Sequence, residues 1–162
     1  MKNYIVSRIS VNCFVKNKNG QFLLVRQARP EHAKGKWSVP GGKIMKNEDF
    51  KRAVVREVKE ETGLRVIFAE HKGIIHESPE KTVKHIFLVR VKNAPFSFDK
   101  NEIMEVDWFM PNEIFNFRKK FLLRGDWVWG GYRIIKIDFS SKTYYSLSLY
   151  LSGLFYPELS VE

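Results

Sequence analysis

The chain has 162 residues, of which 44% are hydrophobic, 28% charged and 14% aromatic, with 10 glycines and 6 prolines. Those proportions exclude a disordered, collagenous or mucin-like chain and suit one globular domain over 1–162. A lone cysteine, Cys13, excludes an intramolecular disulfide and a multi-cysteine zinc site, while the formal charge of +10 leaves a polyanionic partner and plain solubility equally open.

No secretory leader or membrane span is expected. Arg8, Asn12 and Lys16 interrupt the early apolar run. The late stretch Tyr144 to Tyr156 carries three serines and a glycine, and falls short of the roughly 18 apolar residues that a spanning helix requires. The expectation is a soluble protein of a reducing compartment, the cytoplasm, with no membrane partner.

Taken in chain order, Tyr4 to Val15 is β-branched and aromatic and predicts a strand; Lys16 to Gly20 is turn chemistry; Gln21 to Arg26 predicts a second strand, hairpinned to the first. A polar loop from Gln27 to Lys36 leads to Trp37-Ser38-Val39-Pro40 and the pair Gly41-Gly42. Asn47 reads as the cap of a helix that stops at Gly63. Strands are predicted at Leu64–Ala69, Lys84–Val91 and Ile103–Phe109, and a second helix begins with Pro111 in its first turn. Tyr132–Phe139 and Thr143–Leu151 alternate at period two and predict a C-terminal hairpin. This order suggests a mixed sheet with helices against it.

The helix is where the chemistry concentrates. On a wheel advancing about 100° per residue, Phe50, Val54 and Val58 form an apolar stripe, and Glu57 and Glu61 fall on the same side, with Glu60 beside them. Lys51, Arg52, Arg56 and Lys59 fill the outer arc. Carboxylates drawn toward a core repel one another and resist leaving water. They protonate, pair with arginine, or bind a hard divalent cation such as Mg²⁺ or Mn²⁺ through oxygen. The Gly41-Gly42 pair just before the helix lets backbone approach a ligand closely.

From Gly42 to Leu64 the chain reads GKIMKNEDFKRAVVREVKEETGL, which resembles the Nudix box, G-x5-E-x7-R-E-U-x-E-E-x-G-U with U apolar. Gly42, Glu48, Arg56, Glu57, Val58, Glu60, Glu61, Gly63 and Leu64 meet every fixed position. Upstream WSVPGG and downstream Glu105-Val106-Asp107-Trp108-Phe109 are also similar to the family, over about residues 4–116.

The resemblance implies an α/β fold, a Nudix-type α/β/α sandwich with a mixed sheet, to which about 117–162 adds a β-rich extension. It implies hydrolysis, by water attack on phosphorus, of a diphosphate bond in a nucleoside diphosphate derivative: ADP-ribose, a nucleotide sugar or a (d)NTP. Mg²⁺ or Mn²⁺ would be held by Glu57, Glu60, Glu61 and the Gly42 carbonyl. Arg56 would orient a box glutamate and Glu48 would support the site. The general base is Glu60 within the box, or Glu102 or Glu105 outside it, with Glu102 placed ahead of Glu105. Arg26, Trp37 and Gly41 are the candidate substrate-binding positions. Pro79, 15 positions after Leu64, has a spacing similar to that of the ADP-ribose pyrophosphatase subgroup.

Two other readings stay open. Arg118, Lys119, Lys120, Arg124 and Arg133, interleaved with Phe121, Trp127, Trp129 and Tyr132, offer phosphate contacts and stacking to an RNA 5′ end, or else form a solvated basic face over core aromatics. A Nudix-shaped nucleotide-binding domain without turnover is the non-enzymatic alternative. A small nucleotide is the favoured partner over nucleic acid, and a homodimer is compatible with the sequence.

Overall fold

The structure is a computed structural model; it describes residues 8–77 and 82–136. The strand start at Tyr4, the Pro79 turn and the strand Thr143–Leu151 lie outside the described residues. The elements are β1 (Arg8–Val15), β2 (Phe22–Gln27), β3 (Trp37–Ser38), β4 (Gly41–Lys43), α1 (Phe50–Thr62), β5 (Arg65–Glu77), β6 (Thr82–Lys92), β7 (Ile103–Phe109), α2 (Pro111–Lys119) and α3 (Asp126–Lys136).

They form a four-stranded sheet in the order β4-β1-β6-β5 and a three-stranded sheet in the order β3-β2-β7. The first is mixed, because β1 runs parallel to β6 from Arg8↔Thr82 to Val15↔Val89 and antiparallel to β4. Alternation along β1 and β2 divides the interior in two. Val11, Cys13, Val15, Leu23 and Val25 join Ala53, Val54 and Val58 of α1 in one core. Phe14, Phe22 and Leu24 point the other way, to Ile114 of α2 and Trp127, Val128 and Tyr132 of α3. The result is an α/β layering with helices on both faces, as expected. Among the described residues no helix is long and apolar enough to cross a membrane.

Three local expectations are corrected. First, β1 and β2 are not a hairpin. The turn forms as read, with the Asn17 carboxamide oxygen accepting from the Asn19 and Gln21 amides. The strands then diverge into different sheets after one bridge, Lys16↔Phe22. Both edges of β1 are already taken, by β6 on one side and by β4 on the other, where Cys13 N–H also donates to the Pro40 carbonyl.

Second, α1 begins later than Asn47. Asn47 is itself left-handed at φ 64°, and Asp49 is the cap, its carboxylate accepting from the Arg52 amide. Phe50, placed in the apolar stripe by the wheel, lies at the half-exposed end against the His85 ring. The stop at Gly63 holds: φ is +77° and a Cβ there would lie 2.8 Å from the Ser97 backbone nitrogen.

Third, Tyr132 opens no strand. It lies inside α3, which buries Trp127, Val128, Gly131, Tyr132 and Ile134 against the four-stranded sheet. β-branched and aromatic content favoured a strand, but packing on Phe14 and Ile86 selects the helix. Gly131 makes this possible, since a Cβ there would sit 2.5 Å from Phe14 Cζ. Gly131→Ala, which in a free helix is stabilising, is therefore expected to destabilise this protein by about 1–3 kcal/mol through overpacking. Urea denaturation of the two proteins measures it.

Candidate active site

The last two turns of α1 face Gly41-Gly42, the first residues of β4. The glycines act differently. At Gly41 a Cβ would lie 2.2 Å from the Val11 carbonyl oxygen, so only glycine lets β4 pair with β1 there. At Gly42 a Cβ would lie 2.5 Å from Glu57 Oε1, so its absence makes room for a carboxylate. Gly41 N–H donates to Glu61 Oε2 at 3.1 Å. Burial, the largest influence, pushes the Glu61 carboxyl up to about 8 against that hydrogen bond. Glu57 is also raised by burial, although Arg56 pulls it down. Behind both lies the buried Cys13 thiol, raised by burial first and then by the negative charges of Glu61 and Glu57. It is a core residue, as its alternation indicated.

Arg56 does not lie on an outer solvated arc. Its side chain is 19% exposed and its N–H donors are committed at five contacts. Nε reaches Glu48 Oε1 at 2.7 Å and Nη2 reaches Glu48 Oε2 at 2.9 Å, a bidentate pair. Nη2 also donates to the Lys43 carbonyl at 3.0 Å. Nη1 donates to Glu57 Oε1 at 2.6 Å and to Glu60 Oε2 at 3.2 Å. The pair with Arg56 holds the Glu48 carboxyl down at about 2, and Glu48 also accepts from the Met45 amide. Glu60, 54% exposed, is the carboxylate of this group nearest to solvent.

Loops from three other places complete the surroundings. Glu102, just before β7, pairs with Arg29, and its charge acts on Glu61. Glu105 instead pairs with Arg26, its partner across β2 and β7, at 3.4 Å. Arg26 Nε also donates to the Gly35 carbonyl. Trp37 is committed elsewhere: it is buried, edge-on to Phe109 at 4.8 Å and stacked on Phe117 at 5.9 Å. That burial removes it from the surface a substrate could touch. The structure thus brings together Gly41, Gly42, Arg56, Glu57, Glu60 and Glu61, and sets Glu102 on Arg29, Arg26 on Glu105 and Trp37 in the core.

Arg29 and Arg124 were not assigned to this site by sequence. Arg124 influences both Glu61 and His32, lowering each. Arg29-Pro30 in the polar loop was a readable signal; Arg124 was hidden in a basic run. Of the aromatic residues read as stacking platforms for an RNA end, Phe121 is exposed and the others are packed. Trp127 and Tyr132 are buried and Trp129 stacks on Tyr132 at 5.0 Å, while Arg118 pairs with Asp126.

The sequence pattern of the NUDIX domain matches residues 6–127. The chain belongs to the Nudix family. It is 34% identical over 116 residues to Nudix hydrolase 5 of Arabidopsis thaliana, covering 67% of this chain and 38% of that protein, so it spans well under half of that relative's length. It is 24% identical over 105 residues to the CTP pyrophosphohydrolase of Escherichia coli, covering 65% of this chain and 78% of that one. Among solved structures, the MutT protein of Methanosarcina mazei Go1 superposes with a TM-score of 0.66 at 26% identity, over 80% of this chain and 94% of that chain.

Nudix proteins generally use a divalent cation, and the donors here suit one. They are hard oxygens, two are buried, and the missing side chain of Gly42 leaves room for the Glu57 carboxylate against the backbone. Among the described residues no three acidic or metal-ligating side chains converge on one point, because Glu57 and Glu60 are turned to Arg56 Nη1 and Glu61 to Gly41.

Two pH effects follow. Glu48 has a lower pKa folded than unfolded, so its pair with Arg56 stabilises fully above the unfolded value and is lost as pH falls from about 4.5 toward about 2. Glu48→Gln is expected to lower Tm at pH 7 and to flatten that acid limb. Glu61 has the opposite sign. Its raised pKa makes the metal-free fold lose stability as pH rises from about 4.5 to about 8. Glu61→Gln is expected to raise Tm of the chelator-treated protein at pH 8.5 and leave it unchanged at pH 4. Calorimetric scans across pH check both.

Proposed function

We propose that this chain hydrolyses the diphosphate bond of a small nucleoside diphosphate derivative or nucleoside triphosphate, with Mg²⁺ or Mn²⁺ held by Glu57, Glu60, Glu61 and the Gly42 carbonyl. The observation that carries this reading is the burial of Glu57 and Glu61 against the Gly41-Gly42 turn. Buried carboxylates that repel each other are unfavourable in a merely structural helix, and a hard cation removes the penalty. When bound, the cation would neutralise the diphosphate and acidify a water molecule.

The chain's own groups have separable tasks. Arg56 holds Glu57 and Glu60 in position and is itself held by Glu48 and the Lys43 carbonyl. Gly41 N–H orients Glu61. Glu102 and Glu105 are both ion-paired, with Arg29 and Arg26, and Glu102 is our choice of acceptor for the proton of the attacking water because its negative charge is the one that helps to raise Glu61. The name of the E. coli relative, a CTP pyrophosphohydrolase, supports a nucleotide substrate.

The test is a hydrolysis panel of ADP-ribose, nucleotide sugars, normal and oxidised (d)NTPs and triphosphorylated RNA, with Mg²⁺, Mn²⁺ or chelator. The expected outcome is metal-dependent turnover of a small nucleotide, with kcat reduced about 100-fold or more in Glu60→Gln and Glu61→Gln. Unimpaired turnover in those variants would remove the ligand assignment. Tight nucleotide binding without hydrolysis under either metal would return the chain to a binding role.

A further inference from the structure

Two histidines meet at a place that their spacing in the chain does not announce. His71 on β5 and His85 on β6 are 14 residues apart, yet His71 Nε2 lies 3.1 Å from His85 Nδ1. The strand register accounts for the meeting. His71 is paired with Phe87, so His85, two residues before Phe87, is its diagonal neighbour on the same sheet face. That face is the one covered by α1, since Phe87 belongs to the α1 core and β1 pairs Val11 with His85.

The pair is braced on several sides. Straight after His71, β5 carries one extra residue, Lys72, where its register against β6 shifts, and such a bulge bends the strand and re-aims its side chains. Gly73 lets the bend lie close to α3, because a Cβ there would sit 3.1 Å from Ile134 Cγ2. The His71 ring stands edge-on to Phe87 at 5.1 Å. Phe50, the first residue of α1, packs on the His85 ring at 4.3 Å.

A hydrogen bond between two part-exposed imidazoles adds little to stability, since water offers each ring the same partner. The geometry suits a second use. Two nitrogens bound to one tetrahedral ion at about 2.0–2.1 Å stand about 3.3–3.4 Å apart, so these two need to part by only about 0.3 Å to chelate it. Their rings, with centroids 5.2 Å apart, are inclined at 42°. His71 is exposed, which leaves the ion a way in and room for the waters that complete its shell. Burial lowers the pKa of both histidines, and His71 lowers that of His85 further, so both are neutral at pH 7, the form that ligates.

We propose that His71 and His85 chelate a nitrogen-preferring divalent cation of the Zn²⁺ class, at a site apart from the carboxylates of α1. Imidazole suits Zn²⁺ and Ni²⁺, whereas the glutamate oxygens suit Mg²⁺ and Mn²⁺, so the two sites differ in ligand softness. A bound ion cross-links β5 to β6 beside Phe50. It thereby steadies the first turn of the helix whose later turns carry Glu57, Glu60 and Glu61.

The test is calorimetric titration of the untagged full chain with Zn²⁺ in excess Mg²⁺, with thermal unfolding in the same buffer and in chelator. Wild type is expected to bind Zn²⁺ and to gain Tm with it. His71→Gln and His85→Gln are each expected to weaken Zn²⁺ about 10-fold or more and to lose the gain in Tm. Scans in chelator show that the variants fold, and exposed His71 decides the matter if His85→Gln does not. His76→Gln, the next histidine along β5, and Glu61→Gln are expected to keep the Zn²⁺ affinity. The site is overturned if wild type takes up no Zn²⁺ in excess Mg²⁺, if His71→Gln binds it like wild type, or if His76→Gln or Glu61→Gln loses as much. Hydrolysis enters neither readout, so the proposed activity and this site stand or fall separately.

Discussion

Arg56 is the constraint on which the rest of the site depends. One guanidinium joins the loop before α1, through Glu48 and the Lys43 carbonyl, to the helix face that carries Glu57 and Glu60. Its planar fork meets Glu48 with two nitrogens while a third nitrogen serves the other two carboxylates, which the compact ammonium of lysine does not match. Because the pair with Glu48 is mostly withdrawn from water, it is stronger than a surface ion pair and ties the position of β4 to that of α1. Without that tie, Glu57 and Glu60, one helical turn apart, would lose the cation they share.

The two-core architecture supports the same arrangement from behind. β1 is paired along both edges, and its alternating side chains feed both interiors. Cys13, on the α1 side of this strand, lines the low-dielectric floor under Glu57 and Glu61. The site is therefore acidic and dry on the helix side. Arg29 is anchored by Glu102, and the backbone of Arg124 by Trp37.

The Gly41-Gly42 pair shows why like residues need separate reasons. Gly41 is required by the strand partner, since the Val11 carbonyl approaches too closely for any Cβ. Gly42 is required by the functional side chain on the facing helix. The first is a demand of the fold and the second a demand of the site. Their adjacency links sheet formation directly to carboxylate placement.

Much of this was legible in one dimension because its cause is local. The spacing of Glu57, Glu60 and Glu61 is a consequence of helical pitch, the stop at Gly63 of a left-handed turn, and the start of α2 of Pro111. What depended on distant partners was misread. Asn47 looked like a cap until Glu48 was needed by Arg56, and Arg56 looked solvated because a wheel does not show the loop that folds over it. Trp37 lay beside a functional motif yet serves the core, and Tyr132 resembled a strand residue until Gly131 let its helix close on Phe14. The sequence by itself determined the box, its helix and the acidic chemistry, since these are set by neighbours within a few residues. Only the tertiary structure decided how those acids are held, because Arg56 meets Glu48 and the Lys43 carbonyl, and Gly41 meets Glu61, through a sheet and a loop whose contacts leave no periodic trace along the chain.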